Sequence, residues 1–226
     1  MHLKIYTTLL CLGGALCAGA APTVDEVLAK MDAAAPKFNG MSASLSRVTY
    51  TSVLDEKSTE TGKILLRKRG KDLQVRIDFT KPDPKIVAFR NRKAEIFLPK
   101  LNTVQEYDLG KQGDLVDQFL LVGFGTSGRD LKSGYEIKSA GEETIGNQKT
   151  WKLELTPTNA KVTDKLRRLE LWIDQTGIYP VQQKFLEPSG DYYLFTYSDV
   201  KLNPDLSDDD LKLKLPKGVK RETPQK

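Results

Sequence analysis

The chain has 226 residues, with 35 Lys and Arg against 30 Asp and Glu, which gives a formal net charge of +5. Its one histidine, His2, and both cysteines, Cys11 and Cys17, lie within the first twenty residues. Without that segment the chain lacks the residues for a Ser-His-Asp triad, a Cys-His pair, a disulfide or a His or Cys metal site, so most familiar enzyme classes are excluded.

Residues 1–20 have the pattern of a cleavable export signal. Lys4 supplies a short positive region, Ile5 to Leu16 is mostly apolar, and the small residues Ala18-Gly19-Ala20 suit signal peptidase. The apolar run is too short for a membrane-spanning helix, which needs about 20 residues. We therefore expect cleavage after Ala20, export to the periplasm, and one soluble domain in residues 21–226.

The next segment predicts a short amphipathic helix. Thr23 and Glu26 form a capping-box pair, and apolar residues follow from Val24 to Met31 at the i, i+3, i+4 and i+7 positions. We expect this helix to end near Pro36.

From Met41 onward the apolar period changes to two, which indicates antiparallel β-sheet. The alternation is clearest at Leu73, Val75, Ile77 and Phe79. Further predicted strands are Ser42 to Tyr50, Gly62 to Arg69, Lys85 to Arg90, Lys93 to Pro99, Thr103 to Asp108, Tyr135 to Ile145, Lys149 to Thr156, Leu166 to Asp174, Tyr179 to Glu187, Tyr192 to Val200 and Leu211 to Leu215. Roughly eleven strands suit a mainly β (α+β) fold, an incomplete antiparallel β-barrel made of one curved sheet.

One segment interrupts the β pattern. Apolar residues dominate from Asp114 to Val122, and Gly123, Gly125 and Gly128 follow, which predicts a helix and then a flexible loop. Helices capping a curled sheet would enclose an apolar space. That space is either an ordinary filled core or a cavity for acyl chains with the helix as a lid, and composition does not separate the two.

For a cavity, we expect ligand contacts from apolar positions on candidate inward faces or on the lid. These are Leu65, Leu73, Val75, Ile77, Phe89, Phe97, Phe119, Leu120, Phe124, Leu171, Ile173 and Phe195. The choice within each strand depends on register, because a slip of one residue moves every side chain to the other face.

Charged clusters offer little further chemistry. Basic residues concentrate between Lys63 and Lys93, a pattern typical of solvated strand faces and also able to attract an acidic protein surface or a lipid headgroup. The cluster lacks interleaved aromatics, so nucleic acid is not an expected partner. Asp208-Asp209-Asp210 lacks the spacing of a calcium loop and predicts a solvated turn before the last strand. No cofactor or metal is expected.

The order of several motifs resembles the LolA-like periplasmic lipoprotein carriers and the related lipoprotein-receptor folds of diderm bacteria. The motifs include Phe38-Asn39-Gly40-Met41-Ser42-Ala43, Gly62-Lys63-Ile64-Leu65-Leu66-Arg67, Leu169-Glu170-Leu171-Trp172-Ile173-Asp174 and Phe195-Thr196-Tyr197-Ser198-Asp199-Val200. The resemblance covers nearly all of residues 21–226. It implies a LolA/LolB-like half-barrel, without covalent chemistry, that carries the acyl chains of lipoproteins.

The same resemblance implies partners and a latch. The partners are acylated lipoproteins, an inner-membrane ABC-type lipoprotein exporter and an outer-membrane receptor, and we expect the carrier to be a monomer. The family has an arginine, followed by proline, that ties the lid to the barrel; here Lys68 and Arg69 occupy that place without the proline, and Arg69 is the preferred candidate. Two alternatives remain, a lipid- or lipoprotein-sensing regulatory domain of the same fold and a structural envelope protein with a filled core.

Overall fold

The computed structural model describes residues 22–70, 72–110 and 122–224. Within them, the strands form one open, curved sheet of twelve strands, in the order β12-β6-β5-β4-β3-β2-β1-β11-β10-β9-β8-β7. The strands are β1 Gly40–Thr51, β2 Glu56–Arg69, β3 Asp72–Lys81, β4 Lys85–Arg90, β5 Lys93–Leu98, β6 Thr103–Asp108, β7 Tyr135–Ile145, β8 Gln148–Pro157, β9 Arg168–Asp174, β10 Pro180–Leu186, β11 Tyr192–Leu202 and β12 Lys220–Glu222. The predicted fold class is confirmed.

Four α-helices accompany the sheet in the described residues: α1 Val24–Ala34, α2 Gly128–Gly134, α3 Ala160–Thr163 and α4 Asp208–Leu211. The predicted capping box of α1 is present, since Thr23 Oγ1 accepts from the Glu26 amide and the Glu26 carboxylate accepts from the Thr23 amide at 2.7 Å. After α1, a short 3₁₀ turn at Ala35–Lys37 contains Pro36. None of the described helices is long and apolar enough to cross a bilayer. The predicted export signal, residues 1–20, lies outside the described residues.

Within the described residues, helices cover one half of the concave side of the sheet and leave the other half open. In the helix-covered half, α1 and α2 pack over the inward side chains of β8 and β9. Its buried cluster contains Val27, Leu28, Met31, Val122, Leu131, Trp151, Leu153, Leu155, Leu166, Leu169, Leu171 and Ile173. A Cβ on Gly128 would lie 2.5 Å from the carbonyl oxygen of Leu28, so glycine there allows α2 to lie directly against α1.

The open half is formed by β1, β2, β3, β10 and β11. Its buried cluster contains Met41, Ala43, Leu45, Ile64, Leu66, Leu73, Val75, Phe79, Phe89, Phe124 and Tyr197. The pairing of β2 with β3 shifts between Thr61 and Gly62, and a Cβ on Gly62 would overlap the Asp78 carbonyl oxygen. This irregular, close approach is the kind of feature that bends a sheet, and it lies in the wall of the open half.

The C-terminal segment lies across the outer face of β2 and β3. Arg67 Nη1 donates to the Leu206 carbonyl at 2.7 Å, and Arg76 Nη1 donates to the Lys212 carbonyl at 3.0 Å. The predicted strand Leu211 to Leu215 is wrong: Ser207 and Asp210 form a capping box that begins α4, and residues 212–215 join no ladder. The final strand is β12 instead, and it pairs in parallel with β6.

Candidate functional site

A cavity of about 440 Å³ opens on the concave side of the open half. The residues that line it are Met41, Leu45, Arg47, Ile64, Leu66, Ile77, Phe124, Lys165, Leu166, Gln183, Phe185, Glu187, Tyr193, Phe195 and Tyr197. Most of these side chains are aliphatic or aromatic. A cavity of this size and character is typical of a small-molecule site, for which volumes of about 300 to 1,000 Å³ are usual.

The strand register explains why these side chains converge. Leu45 pairs with Tyr197 on one side and Gly62 on the other, while Arg47 pairs with Phe195. Directly paired residues share a face, so alternate positions of β1 from Met41 to Arg47 point into the cavity. At about 3.3 Å per residue, this wall is about 20 Å long.

Exposure increases along this wall, which identifies the mouth of the cavity. At the inner end, Met41, Leu66 and Phe124 are fully buried. At the other end, Lys165 is exposed, Glu187 is half-buried and Tyr193 is 38% exposed. A ligand therefore meets apolar surface at the inner end and charged side chains at the mouth.

Phe124 closes the inner end. It follows Gly123 in the loop before α2, and its ring meets Tyr197 edge-to-face at a centroid distance of 5.1 Å. Gly125 has φ 63°, and a Cβ there would overlap a ring carbon of Phe38, so only glycine fits this turn comfortably. The predicted glycine loop thus places Phe124 in the cavity wall.

A buried polar network lies behind the apolar lining. Gln183 donates to the Val122 carbonyl and accepts from the Tyr197 hydroxyl at 2.7 Å. Complete burial raises the pKa of Tyr197 far above its ordinary value, so this hydroxyl stays a neutral hydrogen-bond donor. The network joins residue 122, at the end of the helix-covered half, to the wall of the cavity.

The charged group at the mouth centres on Arg47. Its guanidinium forms an ion pair with Glu60 and lies 4.9 Å from the centre of the Phe79 ring. Lys85 Nζ contacts the same carboxylate at 2.5 Å. Burial raises the pKa of Glu60, but hydrogen bonds from Lys85 and Arg47 outweigh that effect and hold the pKa below its ordinary value. Glu60 is therefore ionised at neutral pH.

The predicted ligand-contact residues fall into several places. Ile77, Phe124 and Phe195 line the cavity. Leu73, Val75 and Phe89 lie in the buried cluster of the open half without lining the cavity, and Leu171 and Ile173 lie in the cluster of the helix-covered half. Phe119 and Leu120 lie outside the described residues, as does the predicted lid helix Asp114 to Val122 except for its last residue.

The predicted inward orientation is wrong for Leu65 and Phe97. Leu65 lies between Ile64 and Leu66, which both line the cavity, so its side chain points to the outer face. Phe97 pairs with Ile86, and Ile86 pairs with Asp78 on that outer face. Both faces of these strands carry apolar residues. The sequence therefore lacks the alternation of apolar and polar residues that would show which face points inward.

The two latch candidates differ in position. Lys68 is half-buried and pairs with Leu73 on the inward face, whereas Arg69 is exposed and belongs to the outer face. The lid residues that either would contact lie outside the described part of the chain, so the latch stays a prediction.

Sequence reasoning missed most of the cavity wall. Met41, Leu45 and Arg47 alternate on β1, and this period-two pattern was visible in the sequence. Tyr197 also lines the cavity and was not among the predicted contact residues. Among the described residues there is no cluster of three or more His, Cys, Asp or Glu that would suit a metal ion.

Comparison with known proteins supports the fold. A family model described as an uncharacterized protein matches residues 88–203 of the chain. No curated protein sequence matches the chain.

Three solved structures share the fold at low sequence identity. An uncharacterized conserved protein from Thermus thermophilus aligns with a TM-score of 0.54 and 14% identity, covering 88% of this chain and 98% of that one. MucB aligns with a TM-score of 0.52 and 16% identity over 84% of this chain, and the chain spans only 62% of the length of MucB. The Mycobacterium tuberculosis lipoprotein LppX aligns with a TM-score of 0.51 and 17% identity, covering 81% of this chain and 98% of LppX. The chain shares the fold of these three proteins, and its open, curved sheet agrees with the half-barrel that the sequence resemblance implied.

Proposed function

Because the chain belongs to the family whose model matches residues 88–203 and has a LolA-like fold, we propose that it is a periplasmic, non-enzymatic carrier of lipid acyl chains, with acylated lipoproteins as cargo. The observation that carries this proposal is the apolar cavity on the open half of the sheet. The other half of the same concave face has a filled core beneath α1 and α2. Within the described residues, only one half is covered by helices, and this difference favours a ligand site over an ordinary core.

The cavity has the energetics of an acyl-chain site. Each methylene transferred from water to an apolar environment contributes about 0.8 kcal/mol, so even part of one chain along the wall from Met41 to Arg47 would bind appreciably. Leu45, Ile64 and Ile77 offer hydrocarbon contacts without a polar group that a lipid tail would leave unpaired. Binding is non-covalent and reversible, as transfer between membranes requires.

The route of transfer follows from the resemblance described above. The export signal predicted in residues 1–20 supports a periplasmic location, where an inner-membrane ABC-type exporter would load the monomeric carrier and an outer-membrane receptor would unload it. The open mouth near Lys165 and Tyr193 is where a tail would enter and leave.

A regulatory function is the second candidate. The match to MucB favours it, and MucB has been crystallised in complex with MucA. In this alternative the same cavity would detect lipid, and occupancy would change the affinity for a protein partner.

Native mass spectrometry of protein purified from the periplasm tests the proposal. We expect bound lipid or acylated lipoprotein, and uptake of added triacylated lipoprotein by protein from which the lipid has been removed. A protein that is empty after purification and takes up neither fatty acid nor lipoprotein would contradict both the carrier and the lipid-sensing functions. Binding of lipid together with stable capture of a periplasmic domain of a regulator would favour the second candidate.

A further inference from the structure

The mouth of the cavity has a chemistry that acyl-chain binding alone does not require. Arg47 lies at the end of an otherwise apolar inward row on β1. A charged side chain at such a position loses hydration, so its donors need acceptors. Within the described residues, only some of the Arg47 N–H donors have a hydrogen-bond acceptor.

The hydrogen-bond inventory of Arg47 is incomplete. Its Nη2 atom pairs with Glu60, whereas its Nε atom is buried and has no hydrogen-bond acceptor in the described part of the chain. A buried donor without an acceptor is destabilising, and such groups often mark the place of a water or an ion. Because Arg47 lines the cavity, a polar atom of a bound ligand can reach this guanidinium.

The charges around the mouth favour an anion. Arg47 and Lys85 are cationic and contact a single carboxylate, that of Glu60, so these three side chains carry one positive charge more than negative. Glu60 is shared by Arg47 and Lys85, while Lys165 forms no ion pair within the described residues. Lys165 lies near Glu187 and Asp164, so the unbalanced positive charge is that of Arg47, Lys85 and Glu60, and one anionic group of a ligand would neutralise it.

We propose that the mouth, through Arg47 and Lys165, binds the anionic headgroup of a lipid whose acyl chain occupies the cavity. The proposal rests on the proposed acyl-chain function and narrows its ligand class. The ligand is an amphiphile with a phosphate diester or carboxylate at its polar end, held by charge-assisted hydrogen bonds. A neutral glyceride of the same chain length would satisfy the apolar wall but bring no negative charge to the Arg47 guanidinium.

A matched pair of lipids tests the proposal by displacement of a neutral fluorescent acyl probe. Palmitoyl-lysophosphatidylglycerol and monopalmitoylglycerol share the acyl chain and a glycerol unit, and they differ in the phosphoglycerol group. We expect the anionic lipid to bind about tenfold more tightly or better, since a hydrogen bond to a charged group contributes about 1.5 to 3 kcal/mol. Glycerol 3-phosphate, which lacks a tail, should not displace the probe at millimolar concentration.

Three variants locate the effect. Arg47→Gln should reduce the preference for the anionic lipid, measured as the ratio of the dissociation constants of the two lipids, to less than threefold. Lys165→Gln, at an exposed position, should weaken the preference without affecting folding. Arg168→Gln is the matched control, because Arg168 also has a buried, unpaired Nε but pairs with Glu154 and Glu170 away from the cavity.

The possible results distinguish a failure of the headgroup site from a failure of the proposed acyl-chain binding. Equal binding of the two lipids by the wild-type protein would overturn the headgroup site and leave the acyl-chain function intact. Displacement by glycerol 3-phosphate would assign the mouth to a free anion and also overturn the proposal. Failure of both lipids to bind would overturn the proposed function together with the inference.

Discussion

Ile77→Asp should abolish acyl-chain binding. Ile77 is a half-buried side chain on β3 that lines the cavity, two strands away from β1 in the sheet. The substitution removes hydrocarbon contact and places a carboxylate against the ligand tail, where its desolvation is not compensated. We expect a loss of affinity of at least about 100-fold, which corresponds to about 2.8 kcal/mol. Displacement of a fluorescent fatty acid measures this directly.

Leu65→Asp is the matched control for Ile77→Asp. Leu65 is also a half-buried aliphatic residue, on the neighbouring strand β2, but it points to the outer face. The control should keep the affinity within about twofold of wild type, while thermal unfolding shows whether each variant stays folded. An Ile77→Asp protein that remains folded and binds fatty acid normally would show that the cavity is not the lipid site.

Arg67→Ala should destabilise the protein by about 3 kcal/mol. The Arg67 side chain is buried on the outer face, where it donates to the Leu206 carbonyl and the Gln74 side chain, each at 2.7 Å, and pairs with Asp208. Removing it leaves the Leu206 carbonyl without its charged donor and releases the segment that covers β2 and β3. Denaturant unfolding measures the change in the free energy of unfolding.

Arg69→Ala is the comparison, because Arg69 lies two residues away on the same face and is exposed. Its unfolding free energy should stay within about 0.5 kcal/mol of wild type. Hydrogen exchange should show faster exchange around Leu211 in Arg67→Ala and not in Arg69→Ala. Equal effects of the two substitutions would contradict the role assigned to the buried guanidinium.

The Arg67 contact also depends on pH. The hydrogen bond and charge of Arg67 hold the pKa of Asp208 below its ordinary value. Since the folded-state pKa is lowered, the stabilisation is present at neutral pH and is lost as the pH falls through that lowered pKa.

The local elements were predictable because their signals are local. Thr23 and Glu26 identified the start of α1, and the strict alternation of Leu73, Val75 and Ile77 identified β3 and its inward face. Both signals come from side chains within a few residues of each other, so they do not depend on distant parts of the chain.

The predictions were wrong or incomplete where the burial of a residue depends on contacts with segments far away in the sequence. Leu65 reads as a core residue because the C-terminal segment covers the outer face of β2, so apolar residues occur on both sides of that strand. Leu171 and Ile173 do point inward, but α1 covers them, and that cover depends on tertiary packing. The alternation of Leu211, Leu213 and Leu215 resembles a strand, yet the Ser207 capping box starts a helix there.

Arg47 illustrates a signal that was present and not used. It interrupts the otherwise apolar inward row of Met41, Ala43 and Leu45 on β1. A single cation at the end of an apolar row marks either a surface or the polar end of a binding site, and the register of β1 against β11 was needed to choose between them.

The most direct test of the central claim is photo-crosslinking with a palmitic acid analogue that carries a diazirine near the end of its chain, followed by peptide mapping. The account predicts labels at the inner end of the cavity in the open half, on peptides that contain Met41, Leu66 and Tyr197. Labels confined to β9, around Leu171, or to the outer face around Phe97 would contradict the claim that the cavity of the open half binds the acyl chain.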